Sequence, residues 1–252
     1  MMIDTHIHAD TRSSEDFKKM SMNGIGAAIS CSFYPLAINS SNLLLAHFDR
    51  LINYEVPRAA DNLLNLYLAL GIHPKPIPED YEKVLEKLPL YLEQENVICM
   101  GEIGLDQDTP LEQKVFKKQL KIAAKLNKKV IVHTPRKNKP TTLEHELEIL
   151  ESYIRPELVV IDHLNMETIP QVINTDYTMG LTIQPHKLEP TDIIGIVNEY
   201  GCERFILNSD SSHMPSNPIS VAEAIYYLKK EKIDPNCIES LASGNARKFF
   251  QI

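Results

Sequence analysis

The sequence predicts a (β/α)8 barrel, and three observations carry that prediction. Eight short apolar runs recur along the 252 residues, with helical patterns between them. The runs are continuously apolar rather than alternating, as in parallel strands covered on both faces. Histidines and carboxylates directly follow the runs, at the C-terminal ends where barrels of this kind build their sites. The length and a hydrophobic fraction of 43% suit one domain over residues 1–252 with a substantial core. A doubly wound open sheet is the main rival.

Taken in order, Ile3 to Ile7 is the first run and carries His6 and His8 at its end. Residues i and i+2 face the same way on a strand, so the two imidazoles can converge just past it. Gly26 to Cys31 is the second run, followed by a leucine-rich helical region from Ser41 to Asn65 that Pro57 interrupts. Leu66 to Gly71 is the third, with a helix from Asp80 to Glu93 after it. Val97 to Gly101 is the fourth. The helix that follows, Pro110 to Leu126, is the clearest: Leu111, Val115, Phe116, Leu120, Ala123 and Ala124 fall at helical spacing, and Pro110 suits the first turn.

Val130 to Val132 is the fifth run, followed by a helix near Thr142 to Ser152. Leu158 to Ile161 is the sixth, with a short helix near Met166 to Ile173. A weaker seventh run spans Tyr177 to Ile183, and Thr191 to Tyr200 is helical. Phe205 to Leu207 is the eighth, with helices near Pro218 to Lys230 and Asp234 to Phe250.

Composition narrows the function. A net charge of −8 argues against a broad electrostatic grip on nucleic acid, though not against a local basic pocket. No apolar run approaches the ~20 residues that a membrane span needs. The N-terminus enters the first strand without a basic or apolar leader, so a cytoplasmic protein is expected. Cys31, Cys99, Cys202 and Cys237 are scattered without a CxxC and read as reduced structural thiols.

Five of the nine histidines, His6, His8, His73, His133 and His163, directly follow a predicted strand. Glu102 follows the fourth run and Asp210 the eighth. Any one of these is an ordinary polar residue. Converging at one rim, they make an imidazole and carboxylate metal site, poor in thiolate, which suits zinc, manganese and similar divalent ions.

These residues resemble a known family. Asp4-Thr5-His6-Ile7-His8, Gly71-Ile72-His73-Pro74, Gly101-Glu102-Ile103-Gly104-Leu105-Asp106, the strand-end His133 and His163, and Ser209-Asp210 look like the TatD family of metal-dependent hydrolases. That family belongs to the amidohydrolase superfamily of metal-bearing TIM barrels, and the resemblance covers nearly the whole chain. It implies two divalent ions, zinc first, with Mn, Mg, Ni or Fe as alternatives. His6, His8 and Asp210 would hold one ion, His133 and His163 the other, and Glu102 would bridge them. Two such ions can bring the pKa of a water toward neutrality. Asp210 would then be the general base, and His73 would face the substrate or leaving group. Asp4 would orient a ligand histidine through its second nitrogen. Asp106 would stand behind the ligands or cap the next helix.

The chain departs from the family where substrate would sit. Gln107-Asp108-Thr109 replaces the usual aromatic and arginine after the fourth strand, and Asn208-Ser209-Asp210-Ser211 replaces the usual Glu-Thr-Asp-Pro. The fifth strand runs into a basic loop, in which Arg136, Lys137 and Lys139 are the candidates for a phosphate contact, with a solvated basic loop as the alternative. His213 is expected on an exposed loop, with a place facing the substrate as the alternative. Phe33 and Tyr34 are expected to pack in core or loop, with an apolar wall over the pocket as the alternative. The expected activity is phosphoester hydrolysis on a nucleic-acid or small-molecule substrate. An amide or lactone hydrolase on the same metals is the second expectation, and a barrel without turnover the third.

Overall fold

The computed structural model describes residues 1–33, 35–36 and 40–252; Tyr34 therefore lies outside the described residues. Eight parallel strands follow one another around the molecule: β1 (Met2–Ile7), β2 (Ile25–Cys31), β3 (Asn65–Ala69), β4 (Val97–Gly104), β5 (Lys129–His133), β6 (Val159–Leu164), β7 (Thr178–Thr182) and β8 (Phe205–Asn208). The expected (β/α)8 TIM barrel is the observed fold. Its seam is lightly sewn. Beyond β8, Ser211 forms an isolated parallel bridge with Ile7. The Asp210 N–H donates to the His6 carbonyl at 2.9 Å, and the His8 N–H to the Ser211 carbonyl at 2.8 Å.

Helices α1 (Ser14–Met22), α2 (Ser41–Arg50), α3 (Val56–Ala60), α4 (Tyr81–Leu92), α5 (Pro110–Leu126), α6 (Lys139–Tyr153), α7 (Ile169–Val172), α8 (Asp192–Tyr200), α9 (Ser220–Lys230), α10 (Pro235–Glu239) and α11 (Asn245–Phe250) fill the connections. Helix α1 has no counterpart in the sequence reading. It buries only Phe17 and Met20, too few for a helical stripe, and its one local signal is a capping box between Ser13 and Asp16. Pro57 does not interrupt its helix. A π-helical turn, Leu51–Glu55, joins α2 to α3, and Pro57 falls in the first turn of α3, where a missing N–H costs little. Pro140 likewise sits in the first turn of α6, which begins at Lys139 rather than Thr142. Among the described residues, no helix is long and apolar enough to cross a membrane.

There are two cores. The larger lies between strands and helices and includes Leu68, Met100, Val132, Ile161, Phe116 and Leu120. The smaller fills the barrel with Ile3, Ala27, Ile29, Cys31, Ala69, Cys99, Ile131, Val160 and Ile206, and is joined by Ala246 and Phe250 of the last helical stretch. Above this apolar layer the inward positions turn polar, and there the site begins.

Candidate metal centre

Strict alternation places one ligand directly: Ile131 points into the inner core, and His133, two residues on, points into the site. Elsewhere the strands break register. Of the five irregularities, two fall between adjacent residues, Met2 and Ile3 and Leu68 and Ala69, and three span a gap, between Asp4 and Ile7, between Met100 and Ile103, and between Ile161 and Leu164; it is these three that matter for the site. Each contains a proposed ligand: His6, Glu102 or His163. An extra residue in a strand re-aims a side chain. His163 and Asp210 also adopt left-handed backbones, with φ of 60° and 43°. For residues with a Cβ this costs about 1–2 kcal/mol. At Asp210 the cost is offset by the N–H bond to His6 and by a bond from Gln184 Nε2 to its carbonyl at 2.6 Å.

The predicted ligands converge. Ligand atoms of His6, His8 and Asp210 lie within 4.8 Å of one another, as do those of His6, Glu102 and His163, and those of His73, Glu102 and His133. His6, His8, Glu102, His163 and Asp210 are buried. Glu102 Oε1 lies 2.6 Å from His133 Nδ1 and 2.8 Å from His163 Nε2, while Oε2 lies 3.4 Å from His6 Nε2. One carboxylate thus faces both halves of the cluster.

Proton counting shows that a cation fits this arrangement. His8 Nδ1 sits 3.0 Å from the Cys31 carbonyl, so that nitrogen must carry a proton. His6 Nδ1 sits 2.6 Å from Asp162 Oδ2. Burial opposes ionisation of Asp162, but His163 and His6 hold its pKa below the ordinary carboxylate range, so His6 Nδ1 donates to it. Against burial, Glu102 and Asp162 raise the His6 pKa well above its ordinary value, so without an ion that ring holds a second proton; once both rings are neutral, both Nε2 atoms offer lone pairs. They stand 3.3 Å apart, with Asp210 Oδ1 at 3.1 Å from His8 Nε2. Acceptors facing acceptors in a buried site call for a positive charge between them. Two imidazole nitrogens and carboxylate oxygens are the donor set of a divalent transition metal.

Asp162, not Asp4, orients His6. Asp4 Oδ1 instead accepts the backbone N–H groups of His6 and Ser209, at 3.3 and 3.0 Å, tying β1 to the end of β8. Burial pushes its pKa up to about 7. Asp162 Oδ1 also accepts from Asn208 Nδ2 at 2.8 Å. In the sequence Asp162 stands directly after the sixth apolar run, beside His163.

His73 lies beside the ligands without matching them chemically. The Lys75 N–H donates to His73 Nδ1 at 2.8 Å, which leaves the ring proton on Nε2, 3.6 Å from Glu102 Oε2. Burial lowers the His73 pKa to about 3, so the ring is neutral and presents a donor rather than a lone pair. For His133, burial opposes the charged form, but Glu102 and Asp106 outweigh it and raise the pKa to about 9. Asp106 stands 3.8 Å from His133 Nε2, whereas Thr109 caps α5. Glu102 is held well below its ordinary range by His6 and His133, against burial. Asp210 is likewise held low, chiefly by the Lys187 ammonium.

A cleft of about 760 Å³ opens over the ligands. Arg136 and Lys137 line it, both exposed, and Arg136 donates to Gln184 Oε1 at 3.0 Å. Lys139 does not join them. It is buried, and its ammonium donates to the His163 carbonyl, so it secures β6 rather than facing substrate. Phe33 forms part of the wall rather than packing away from it, with its ring 4.6 Å from His73 and 5.5 Å from His8. His213 is exposed, as expected, and stacks on Phe33 at 6.0 Å. Lys187, which sequence reasoning passed over because it follows the weakest run, donates to Asp210 Oδ2 at 2.7 Å.

Residues 3–251 match the family model described as TatD related DNase. An uncharacterized metal-dependent hydrolase of Methanocaldococcus jannaschii is 37% identical over 253 residues, covering 100% of both chains. The crystal structure of a TatD-like protein from Archaeoglobus fulgidus superposes with a TM-score of 0.86 at 35% identity, covering 99% of this chain and 100% of that one. A phosphotriesterase homology protein from Escherichia coli, complexed with phosphate, shares the fold with a TM-score of 0.74 at 13% identity, covering 99% and 98%.

Proposed function

This chain belongs to the family of TatD-related DNases and is a metal-dependent hydrolase, and from that premise we propose that it cleaves phosphoester bonds with two divalent ions. The observation that carries the substrate class is the charge of the cleft. Outside the proposed ligands its wall holds Lys75, Arg136, Lys137 and Lys187 against the single acid Asp106, in a chain whose net charge is −8. Local cationic charge on an acidic protein favours an anionic substrate and steers it inward. A lactone or amide would gain little from it.

His6, His8 and Asp210 would hold one ion, His133 and His163 the other, with Glu102 between them. Zinc suits this nitrogen and oxygen set first, and manganese next. When bound, the ions would act as Lewis acids and bring the pKa of a water toward neutrality. Asp210 stands at the floor of the cleft as an ionised carboxylate able to take a proton. The Nε2–H of His73 is placed to donate to substrate or to the departing oxygen. Asp162 keeps His6 in the tautomer that offers Nε2 inward. Phe33 narrows the opening on the side of β2. A cytoplasmic setting fits four free cysteines.

The test pairs a substrate screen with one variant. Metal-loaded protein should hydrolyse p-nitrophenyl phosphodiesters or single-stranded DNA in preference to lactones. Glu102→Gln should lose the second ion and lower turnover by ~10² or more. Two ions retained per chain in that variant, counted by atomic spectroscopy, would remove Glu102 from the bridging role.

A further inference from the structure

We propose that Lys187 donates to a nonbridging phosphoryl oxygen of the substrate while it still holds Asp210; the inference rests on the phosphoester reading and names a residue that serves it. Lys187 lies between β7 and α8, and its side chain is only 10% exposed. It lines the same cleft as His8, Glu102, His133 and His163. Its Nζ lies 2.7 Å from Asp210 Oδ2 and 3.1 Å from His163 Nδ1.

An ammonium has three N–H donors and no acceptor. Asp210 Oδ2 takes one of them. His163 Nδ1 cannot take a second when Nε2 serves as a ligand. The neutral ring then carries its proton on Nδ1, which donates to Thr182 Oγ1 at 2.7 Å. Two donors of a cation whose side chain is only 10% exposed are left on the side of the cleft that it lines. An oxygen of a bound anion is the group that answers both the charge and the donors.

Arg136 and Lys137 lack this setting. They stand on the exposed rim, where screening weakens a charge. Nor is Lys187 needed merely to place Asp210. The backbone of that residue is already fixed by its N–H bond to His6 and by Gln184 at its carbonyl.

Lys187→Gln and Lys187→Met, each metal-loaded, separate the possibilities; the second replaces the ammonium by an apolar chain of similar length, so that failure of one variant to fold leaves the other. Three quantities are read: metal per chain, calorimetric affinity for inorganic phosphate, and KM against kcat on bis-p-nitrophenyl phosphate. Both variants should keep the parent's metal content, weaken phosphate binding about tenfold or more, and raise KM by a similar factor, as expected for a lost charge-assisted bond. Phosphate affinity equal to the parent's would overturn the proposal. So would a loss of affinity that tracks a loss of metal, since the lysine would then only support Asp210. A parent protein that neither binds phosphate nor cleaves phosphoesters overturns the phosphoester reading itself, and this inference with it. A parent that does both, beside variants that match it, overturns this inference alone.

Discussion

Glu146 is a buried carboxyl that forms no ion pair among the described residues. Its Oε1 accepts the Leu105 N–H at 2.8 Å, and its Oε2 has no partner among the described residues. Burial pushes its pKa well above the ordinary 4.5, so the folded protein keeps it neutral. The sign follows. Below the ordinary value both folded and unfolded chains are protonated. Above it only the folded chain keeps the proton, and stability falls as pH rises, by up to about 1.4 kcal/mol per unit until the folded group titrates. Glu146→Gln cannot ionise and keeps an acceptor for Leu105. Thermal melts should therefore find the variant level with the parent near pH 4 and increasingly more stable toward pH 8. A pH-independent difference would mean that Glu146 is ionised when folded. At this scale the sequence marked what stands directly after an apolar run: His6, His8, His73, Glu102, His133, His163 and Asp210. Asp162 also stands directly after a run and Lys187 does not, but the roles of both come from partners distant in the chain, His6 and Asp210.

Strand β7 contributes no proposed ligand, yet its geometry decides whether the ligands are aimed. A Cβ at Gly180 would meet Asp162 Oδ1 at 2.1 Å and the Asp162 Cα at 3.1 Å. The absent side chain is the space in which the Asp162 carboxylate turns toward His6. Gly180→Ala should cost about 1–3 kcal/mol through overpacking. It should also weaken the first metal, although residue 180 touches no proposed ligand. Melting temperature and metal titration read the two effects, and unchanged metal affinity would show that His6 keeps its aim without Asp162. At this scale the run of strands was plain from the sequence because buried parallel strands are continuously apolar. The register breaks in β1, β4 and β6 were not, since a displaced residue leaves no trace in hydropathy. Helix α1 was missed because two buried side chains make no stripe, and the π-helical turn before α3 because Pro57 resembles a helix end.

Across the molecule, the proposed ligands come from both ends of the chain. His6 and His8 lie on the first strand and Asp210 just past the last, on opposite sides of a seam held by one isolated bridge and a few hydrogen bonds. An ion shared by these residues would join the two sides, and its binding energy would count as folding energy. Chelation should therefore lower the melting temperature. It should also speed amide exchange in β1 and β8 before β3, β4 and β5. Uniform exchange across all eight strands on metal removal would show that the ions do not bear on the seam. The barrel itself, with its eight strands in chain order, could be read from local patterning; the weakness of its closure could not, because it depends on contacts between residues about two hundred positions apart. The same separation bears on synthesis. The proposed ligands of the first ion are numbered 6, 8 and 210, so a growing chain could not complete such a site until the eighth strand had left the ribosome. His6 and His8 would then meet cellular metal long before the proposed geometry exists to bind it, and metallation would be a step that only the finished protein can take.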